Sequence, residues 1–242
     1  MPRRIGLVFA HPDDETFCVG GIVAKYAAAG VKIDLFCATD GDAGKSAGVP
    51  VSSRQELASI RREETRAASR VLGIGEIDFA GFGDGEVEHA DQTQLVGAIV
   101  SFIRRRKPDV VIGFGPEGAP TGHRDHQALS RATVAAFFLS GLETAYPGDG
   151  LPIHTAQRLF FHAWRLPLRD PALTRESVPP TCSIDVRTFL ERKEAAFMEH
   201  ATQRGSADAF YGGAVANLEH LAFAAGVPQP REAIEDIFDG LA

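Results

Sequence analysis

Apolar residues occur in short, nearly continuous runs along the first two thirds of the chain. These runs predict β-strands over residues 4–10, 31–38, 77–80, 109–114 and 158–164. A strand that is apolar at almost every position is typical of a parallel sheet covered on both faces.

Between these strands, apolar positions recur every three or four residues, which is the spacing of an amphipathic helix. Helices are predicted over residues 14–29, 53–72, 93–107, 125–140 and 188–203. Ser53 and Glu56 have the spacing of a capping box, and Gly30 and Gly73 follow the first two helices where glycine commonly ends a helix. The alternation predicts an α/β fold, a three-layer α/β/α Rossmann-like sandwich with a mostly parallel sheet.

The last third of the chain has weaker periodicity. Residues 165–183 are rich in proline and predict irregular structure, and short helices are predicted near 214–225 and 231–238. Because neither an internal repeat nor a linker divides the chain, residues 1–242 are predicted to form a single domain.

Composition and charge exclude several classes of protein. Hydrophobic residues make up 44% of the 242 residues, and the net charge of -7 disfavours general nucleic-acid binding. The basic run at 104–107 closes a predicted helix, where cations suit the helix dipole, and is interpreted as structural.

The location of the protein is predicted from what the sequence lacks. No apolar run of about 18 residues predicts a membrane span, and the amino terminus does not have the pattern of a signal peptide. The three cysteines, Cys18, Cys37 and Cys182, are odd in number and widely spaced, which favours reduced thiols. We expect a cytoplasmic protein with a small-molecule substrate. The sequence leaves open whether it forms a homo-oligomer.

One short stretch concentrates charge at the end of the first predicted strand. His11, Asp13, Asp14 and Glu15 lie within five residues, at the carboxyl edge of the sheet where α/β proteins bind ligands. Neighbouring carboxylates repel one another unless a cation or a hydrogen-bond network compensates. A helix N-cap is the alternative, but a cap uses one or two acids and no histidine.

A second polar cluster, His123, Asp125 and His126, follows the fourth predicted strand at the same edge. One of its histidines, with His11 and one aspartate of the first cluster, would make a two-His, one-carboxylate set that suits catalytic zinc and also Fe(II). The residues alone do not choose between the two histidines. The aspartate left free, for which Asp13 fits, would be the general base, and Asp125 would orient a histidine.

Other candidates are weaker. Residues 113–118 match G-x-G-x-x-G after a strand, but Pro116 and Pro120 stand where a dinucleotide site needs a helix. His162 ends a predicted strand and stays a minor candidate for the site. Four isolated histidines are interpreted as surface residues: His89, His154, His200 and His220.

The two clusters resemble the motifs of the LmbE-like, or PIG-L, family of zinc-dependent N-deacetylases. Residues 10–15 match its first motif, A-H-P-D-D-E, at every position, and residues 123–126 match its second, H-P-D-H, with Arg124 replacing proline. Weaker matches are an R-x-x-E at 61–64, a Gly-rich loop at 39–44, a loop acid at Asp84 and a late helix that carries Lys193 and Gln203.

The resemblance implies a role for each candidate residue. His11, Asp14 and His126 would bind one Zn2+, with Fe2+ as the other possible ion. Asp13 would be the general base, and His123 would support the oxyanion or protonate the leaving amine. Arg61 and Asp84 would contact a sugar, and Asp42 is a further candidate for that contact.

The resemblance also implies a reaction, in which metal-bound water attacks the amide of an N-acetylglucosamine-type conjugate and removes its acetyl group. The polar groups at the predicted strand ends suit hydroxyls better than apolar substrates. We expect residues 45–53 and 165–183 to select the aglycone. Two alternatives stay open: a zinc amidase that acts on a non-sugar N-acyl substrate, and a non-catalytic carbohydrate-binding protein of the same fold.

Overall fold

A computed structural model describes residues 2–164, 177–228 and 234–241, and within them seven strands form one sheet. In chain order these are β1 (Arg4–Phe9), β2 (Lys32–Thr39), β3 (Ile77–Phe82), β4 (Val110–Phe114), β5 (Arg158–Ala163), β6 (Cys182–Asp185) and β7 (Leu218–Gly226). Their order across the sheet is β3-β2-β1-β4-β5-β7-β6. Strands β1 to β5 are parallel and β7 is antiparallel to both of its neighbours, so the predicted mostly parallel sheet is confirmed.

Five main helices cover the sheet in the same residues: α1 (Asp14–Ala28), α2 (Arg54–Leu72), α3 (Gln92–Arg106), α4 (Arg124–Leu139) and α5 (Leu190–Glu199). The chain crosses the sheet from β1 to β3 through α1 and α2, and in the opposite direction from β3 to β5 through α3 and α4. Since parallel crossovers are right-handed, the two pairs cover opposite faces. Helix α5 packs on α1 and α2, and α3 packs on α4, which confirms the three-layer sandwich.

The direction of the chain across the sheet reverses between β1 and β4. Both strands are apolar and buried, and Leu7 pairs with Ile112 where neither side chain is exposed. The loops that leave their carboxyl ends therefore diverge and flank a crevice, the usual ligand site of such sheets. Each polar cluster lies where one of these loops meets the helix that follows it, α1 or α4.

Helix α2 is capped and ends at the residues that the sequence predicts. Ser53 Oγ accepts a hydrogen bond from Glu56 N at 3.1 Å, and Gly73 ends the helix with a φ of 91°. A Cβ at Gly73 would lie 2.7 Å from Cβ of Ala27, so glycine is required there by contact as well as by conformation.

The basic run at the end of α3 is structural, as predicted. The Arg104 side chain is buried and donates hydrogen bonds to carbonyl oxygens of the segment that follows α4. The acceptors are Ser140, Leu142, Ala145 and Tyr146. This guanidinium therefore closes the connection between α4 and β5.

The carboxyl third differs from the prediction. Strand β7 occupies most of the range predicted as a helix at 214–225, because pairing with β5 and β6 outweighs the helix propensity of its alanines. Strand β6 is absent from the prediction because its four residues follow a proline-rich stretch. The predicted helix at 231–238 is wrong for its described part, where Ile234 forms a β-bridge with Cys182.

Two other predictions concern α5 and the proline-rich stretch. Helix α5 ends at Glu199 and not at residue 203, and a 3-10 helix, Ala201–Ser206, follows it. Residues 165–176 lie outside the described residues. Among the helices of the described residues, none is both long enough and apolar enough to cross a membrane.

Candidate active site

The first polar cluster forms a tight corner between β1 and α1. Asp14 Oδ2 accepts a hydrogen bond from His11 N at 2.8 Å, which closes the corner. Asp13 occupies the left-handed region with a φ of 107°, which is rare for a residue other than glycine. The Asp13 side chain makes no capping hydrogen bond to α1, so a helix cap does not explain this residue.

Three predicted metal ligands converge in the crevice. His11 Nδ1 lies 3.1 Å from His126 Nε2. Asp14 Oδ2 lies 3.4 Å from His11 Nδ1, and Asp14 Oδ1 lies 3.5 Å from His126 Nε2. A tetrahedral ion with bonds of about 2.1 Å separates its ligand atoms by about 3.4 Å. One oxygen of the Asp14 carboxylate faces each nitrogen, so the three side chains converge at about the spacing of the ligands of a tetrahedral ion, and all three are buried.

Hydrogen bonds at the outer ring nitrogens indicate where the two histidines carry hydrogen. His11 Nε2 lies 3.1 Å from Asp125 Oδ2, and His126 Nδ1 lies 3.1 Å from the carbonyl oxygen of Gly118. In neutral rings these outer nitrogens are the donors, so the two facing nitrogens both present lone pairs. Two lone pairs and a carboxylate at this spacing are compensated either by a proton on one of the nitrogens or by a metal ion between them.

The charges around the cluster also favour a cation. Burial lowers the pKa of His11, but hydrogen bonds to Asp125, Asp14 and Asp84 together raise it well above its ordinary value. Burial lowers the pKa of His126 to about 4, against the attraction of Asp14. The acidic groups thus stabilise one positive charge at His11, which a metal ion would replace.

Two aspartates hold His11 from the opposite side. Asp125 is fully buried and accepts hydrogen bonds from Gly85 N at 2.7 Å and Val87 N at 3.1 Å. Asp84 Oδ1 lies 3.2 Å from His11 Nε2. Asp125, which the sequence predicts to orient a histidine, therefore contacts the ring of His11, and Asp84, the predicted sugar contact, also lies against this ring. The ligand atoms of these three residues lie within 4.8 Å of one another.

His123 lies at the exposed mouth of the cluster. Its ring centroid is 4.8 Å from that of His11, and the ligand atoms of His11, His123 and His126 also lie within 4.8 Å of one another. His123 Nδ1 accepts a hydrogen bond from Asp125 N at 3.2 Å, which leaves Nε2 as the donor. His126 is buried and stacks on Phe114 at 3.9 Å. These contacts favour His126 as the ligand and His123 as a hydrogen-bond donor toward the crevice.

Arg61 ties the first cluster to the loop after β2. Its buried guanidinium donates to Gly41 O at 2.7 Å and to Pro12 O at 2.6 Å, and NH2 lies 3.4 Å from Asp13 Oδ2. Burial raises the pKa of Asp13 to about 7, although Arg61 lowers it. Arg61 therefore supports the corner that carries Asp13.

Asp42 lies farther along the same loop. Its Oδ2 accepts a hydrogen bond from Arg54 Nε at 2.8 Å, and both residues line a cavity of about 480 Å³. Ser46, Ser52 and Ser53 also line this cavity, which is open to solvent. The loop at 45–53 therefore contributes part of the lining of this cavity, and the lining combines polar and apolar side chains.

Two buried histidines were not identified as such by the sequence. The interpretation of His200 as a surface residue is wrong, because the ring is fully buried and Nε2 lies 2.9 Å from Glu15 Oε1. His162 is 9% exposed in β5, and burial lowers its pKa to about 3. The packing of α5 on α1 buries His200, and no local pattern signals that contact.

Fold and site together define an α/β protein that can hold a metal ion at the switch point of a parallel sheet. Residues 7–137 match the family model PIG-L, described as GlcNAc-PI de-N-acetylase. The chain belongs to the PIG-L family, which confirms the resemblance of its two motifs.

Curated relatives resemble the chain over most of its length. A "1D-myo-inositol 2-acetamido-2-deoxy-alpha-D-glucopyranoside deacetylase" of Rhodococcus jostii (strain RHA1) is 32% identical over 83% of this chain and 82% of its own. A "Probable N-acetyl-alpha-D-glucosaminyl L-malate deacetylase 2" of Bacillus anthracis is 29% identical over 83% of this chain and 81% of its own.

A solved structure shares the fold. The N,N'-diacetylchitobiose deacetylase from Pyrococcus horikoshii superposes with a TM-score of 0.74 over 92% of this chain and 84% of its own, at 22% sequence identity. At that identity the likeness supports the architecture, and the chemistry is argued from the residues of the site.

Proposed function

We propose that this chain removes the acetyl group from N-acetylglucosamine-type sugar conjugates with a zinc ion. The observation that carries the proposal is the convergence of two histidine lone pairs and the Asp14 carboxylate at tetrahedral spacing. Membership of the PIG-L family, and relatives named as deacetylases of two glucosamine conjugates, support the reaction and the substrate class.

His11, Asp14 and His126 would hold the ion. Two imidazoles and one carboxylate suit zinc and also Fe2+, and three protein ligands leave one position open, as in catalytic sites. When bound, zinc polarises the amide carbonyl and lowers the pKa of a bound water to about 7.

The side chains around this position would move the protons. Asp13 would accept the proton of the attacking water, and its carboxylate is held beside Arg61 and makes no helix-capping bond. His123 would donate from Nε2 to the developing oxyanion or to the leaving amine, since it is exposed to the crevice and its Nδ1 is engaged.

The sugar would lie against the polar loops that surround the cluster. Arg61, Asp84 and Asp42 stay the predicted contacts. The cavity beside Asp42 supports a role in selecting the aglycone for the loop at 45–53, one of the two segments, with 165–183, for which that role is predicted. The serine hydroxyls that line the cavity, and the hydrogen-bonded pair of Arg54 and Asp42, suit a polar, hydroxylated aglycone.

The wider setting is also part of the proposal. One sheet includes strands from both ends of the chain, which supports a single domain over residues 1–242. A cytoplasmic location and a homo-oligomer stay predictions from the sequence.

Acetate release by the purified, zinc-loaded protein tests the function. The panel consists of N-acetylglucosamine linked to inositol, N-acetylglucosamine linked to malate, an N-acetyl amino acid and an acylated aliphatic amine. We expect turnover of the sugar conjugates, and its loss after removal of the metal by a chelator. Preference for a ring-free amide would overturn the sugar assignment and leave the hydrolase, whereas sugar binding without acetate release would identify a non-catalytic protein.

A further inference from the structure

A buried carboxylate lies directly behind the proposed base. Glu15 Oε2 accepts a hydrogen bond from Asp13 N at 3.1 Å, and Glu15 Oε1 accepts one from Thr16 Oγ1 at 2.8 Å. On its other side, Oε1 lies 2.9 Å from His200 Nε2. Glu15 and His200 are both fully buried, so bulk solvent does not compete for the contact between them.

The contact from Glu15 reaches the one strained residue of the corner. Asp13 holds a left-handed conformation, and such a conformation persists only where the surroundings enforce it. The hydrogen bond from Asp13 N to Glu15 Oε2 fixes the backbone of Asp13 and thereby the direction of its carboxylate. The ion pair with His200 in turn fixes the Glu15 carboxylate.

The same segment after α5 also contacts α2, the helix that carries Arg61. Thr202 N donates to Glu64 Oε1 at 2.9 Å, and Glu64 lies one helical turn after Arg61 on α2. Arg61 contacts Pro12 O and Asp13 Oδ2. The junction of α5 with the following 3-10 helix is therefore hydrogen-bonded to Glu15 on α1 and to Glu64 on α2, and the route to Asp13 runs through Glu15.

We propose that His200 is a positioning residue that acts on Asp13 through Glu15. The inference rests on the proposed function, in which Asp13 is the general base. His200 touches neither metal ligand nor substrate position in the contacts described; its Nε2 holds the carboxylate that holds the backbone of the base. Burial alone would lower the pKa of His200, but the Glu15 carboxylate raises it above its ordinary value, which strengthens the pair.

Two substitutions of His200 distinguish the effect of its hydrogen bond to Glu15 from the effect of its packing volume. His200→Gln keeps a donor where Nε2 lies, whereas His200→Met has similar size and no donor. We expect His200→Met to lower kcat by about 10- to 100-fold, the scale of a small misplacement of a catalytic group. KM and zinc content should change little, and His200→Gln should retain most of the wild-type kcat.

A matched histidine at the opposite end of the sheet is the control. His154 is half-buried, and its Nε2 bonds to Pro108 O at 2.8 Å, just before the amino end of β4. His154→Met and His154→Gln should leave kcat unchanged. Equal kcat values for His200→Met and His200→Gln would overturn the positioning role.

Hydrogen exchange of peptides that cover residues 10–17 tests the contact without the reaction. Exchange should become faster in His200→Met and stay slow in His200→Gln. If the wild type deacetylates no sugar conjugate while exchange follows this pattern, the proposed function fails and the contact from His200 to the corner stands. If exchange is the same in both variants, the inference about His200 fails whatever the activity.

Discussion

At the scale of single residues, two adjacent aspartates have different surroundings. Asp14 faces the nitrogens of His11 and His126, and those contacts hold the pKa of its carboxyl well below its usual range although burial alone would raise it. Asp13 points toward Arg61, and burial raises its pKa to about 7. One carboxylate therefore suits metal binding, and its neighbour suits proton transfer near neutral pH.

This difference predicts distinct effects of two substitutions. Asp13→Asn should lower kcat by about 10² to 10⁴-fold and keep the zinc, because it removes a general base and no ligand. Asp14→Asn should lower the zinc content, because the cluster loses its anionic ligand. Steady-state kinetics and elemental analysis measure both effects. Loss of zinc in Asp13→Asn with normal turnover of the remaining metal-loaded protein would show that the two roles are reversed.

The buried ring of His162 should make the free energy of unfolding depend on pH. Its pKa is about 3 in the folded protein, against 6.5 for an unperturbed histidine, because burial disfavours the charged ring. Between these values the unfolded chain binds the proton and the folded chain does not, so the free energy of unfolding decreases as the pH falls. The contribution of one such group is about 1.4 kcal/mol per pH unit.

The measurement compares wild type with His162→Phe by urea unfolding from about pH 6 to pH 4, in the presence of a chelator. The decrease in unfolding free energy should be steeper for the wild type by about 1.4 kcal/mol per pH unit. Parallel curves for the two proteins would mean that His162 is protonated in the folded state.

At the scale of elements, α1 contains a break that a buried ion pair closes. Val19 has non-helical angles, with a φ of −142° and a ψ of 20°. Beyond the break, Gly21 N and Ile22 N donate to the Glu219 carboxylate at 2.9 Å and 2.7 Å. Before it, Phe17 O accepts from Lys193 Nζ at 3.1 Å. Lys193 and Glu219 thus take the place of the helical hydrogen bonds that the break removes.

Substitution of one member of this pair should destabilise the protein strongly. Lys193 Nζ lies 2.6 Å from Glu219 Oε1, and Lys193→Met would leave a buried carboxylate without its counter-ion. We expect the free energy of unfolding to fall by about 3–5 kcal/mol, measured by urea unfolding. The exposed pair of Arg187 with Asp185 is the control, and Arg187→Met should leave stability nearly unchanged. Similar stability of the two variants would contradict a supporting role for the buried pair.

At the scale of the whole molecule, the fold joins ligands that are far apart in the chain. His11 and Asp14 follow β1, whereas His126 follows β4 more than 100 residues later, and the pairing of β1 with β4 brings them together. The unfolded chain holds no such arrangement, so zinc binds the folded state preferentially.

Zinc should therefore raise the free energy of unfolding. At a free zinc concentration 100 times the dissociation constant, mass action predicts a gain of about 2.7 kcal/mol. Thermal or urea unfolding with and without zinc measures it, and His126→Ala, which lacks a proposed ligand, is the control. An equal gain in this variant would place the bound ion elsewhere.

The sequence by itself determined the α/β class, the mostly parallel sheet and the two polar clusters at its carboxyl edge. Apolar periodicity, capping residues and motifs are local signals, and they suffice where one strand or helix follows another along the chain. The strand ends after β1 and β4 could be identified in this way, and with them the two clusters, whereas the choice of Asp14 and His126 as ligands came from the resemblance to the PIG-L motifs.

Only the tertiary structure decided features that depend on contacts between distant segments. The alanine-rich segment of β7 is a strand because β5 and β6 pair with it on both sides, and its own propensity favours a helix. Likewise, His200 is buried against Glu15 because α5 packs on α1, 185 residues away in sequence. Such contacts join residues that no sequence window contains, so the packing of the folded chain alone determines them.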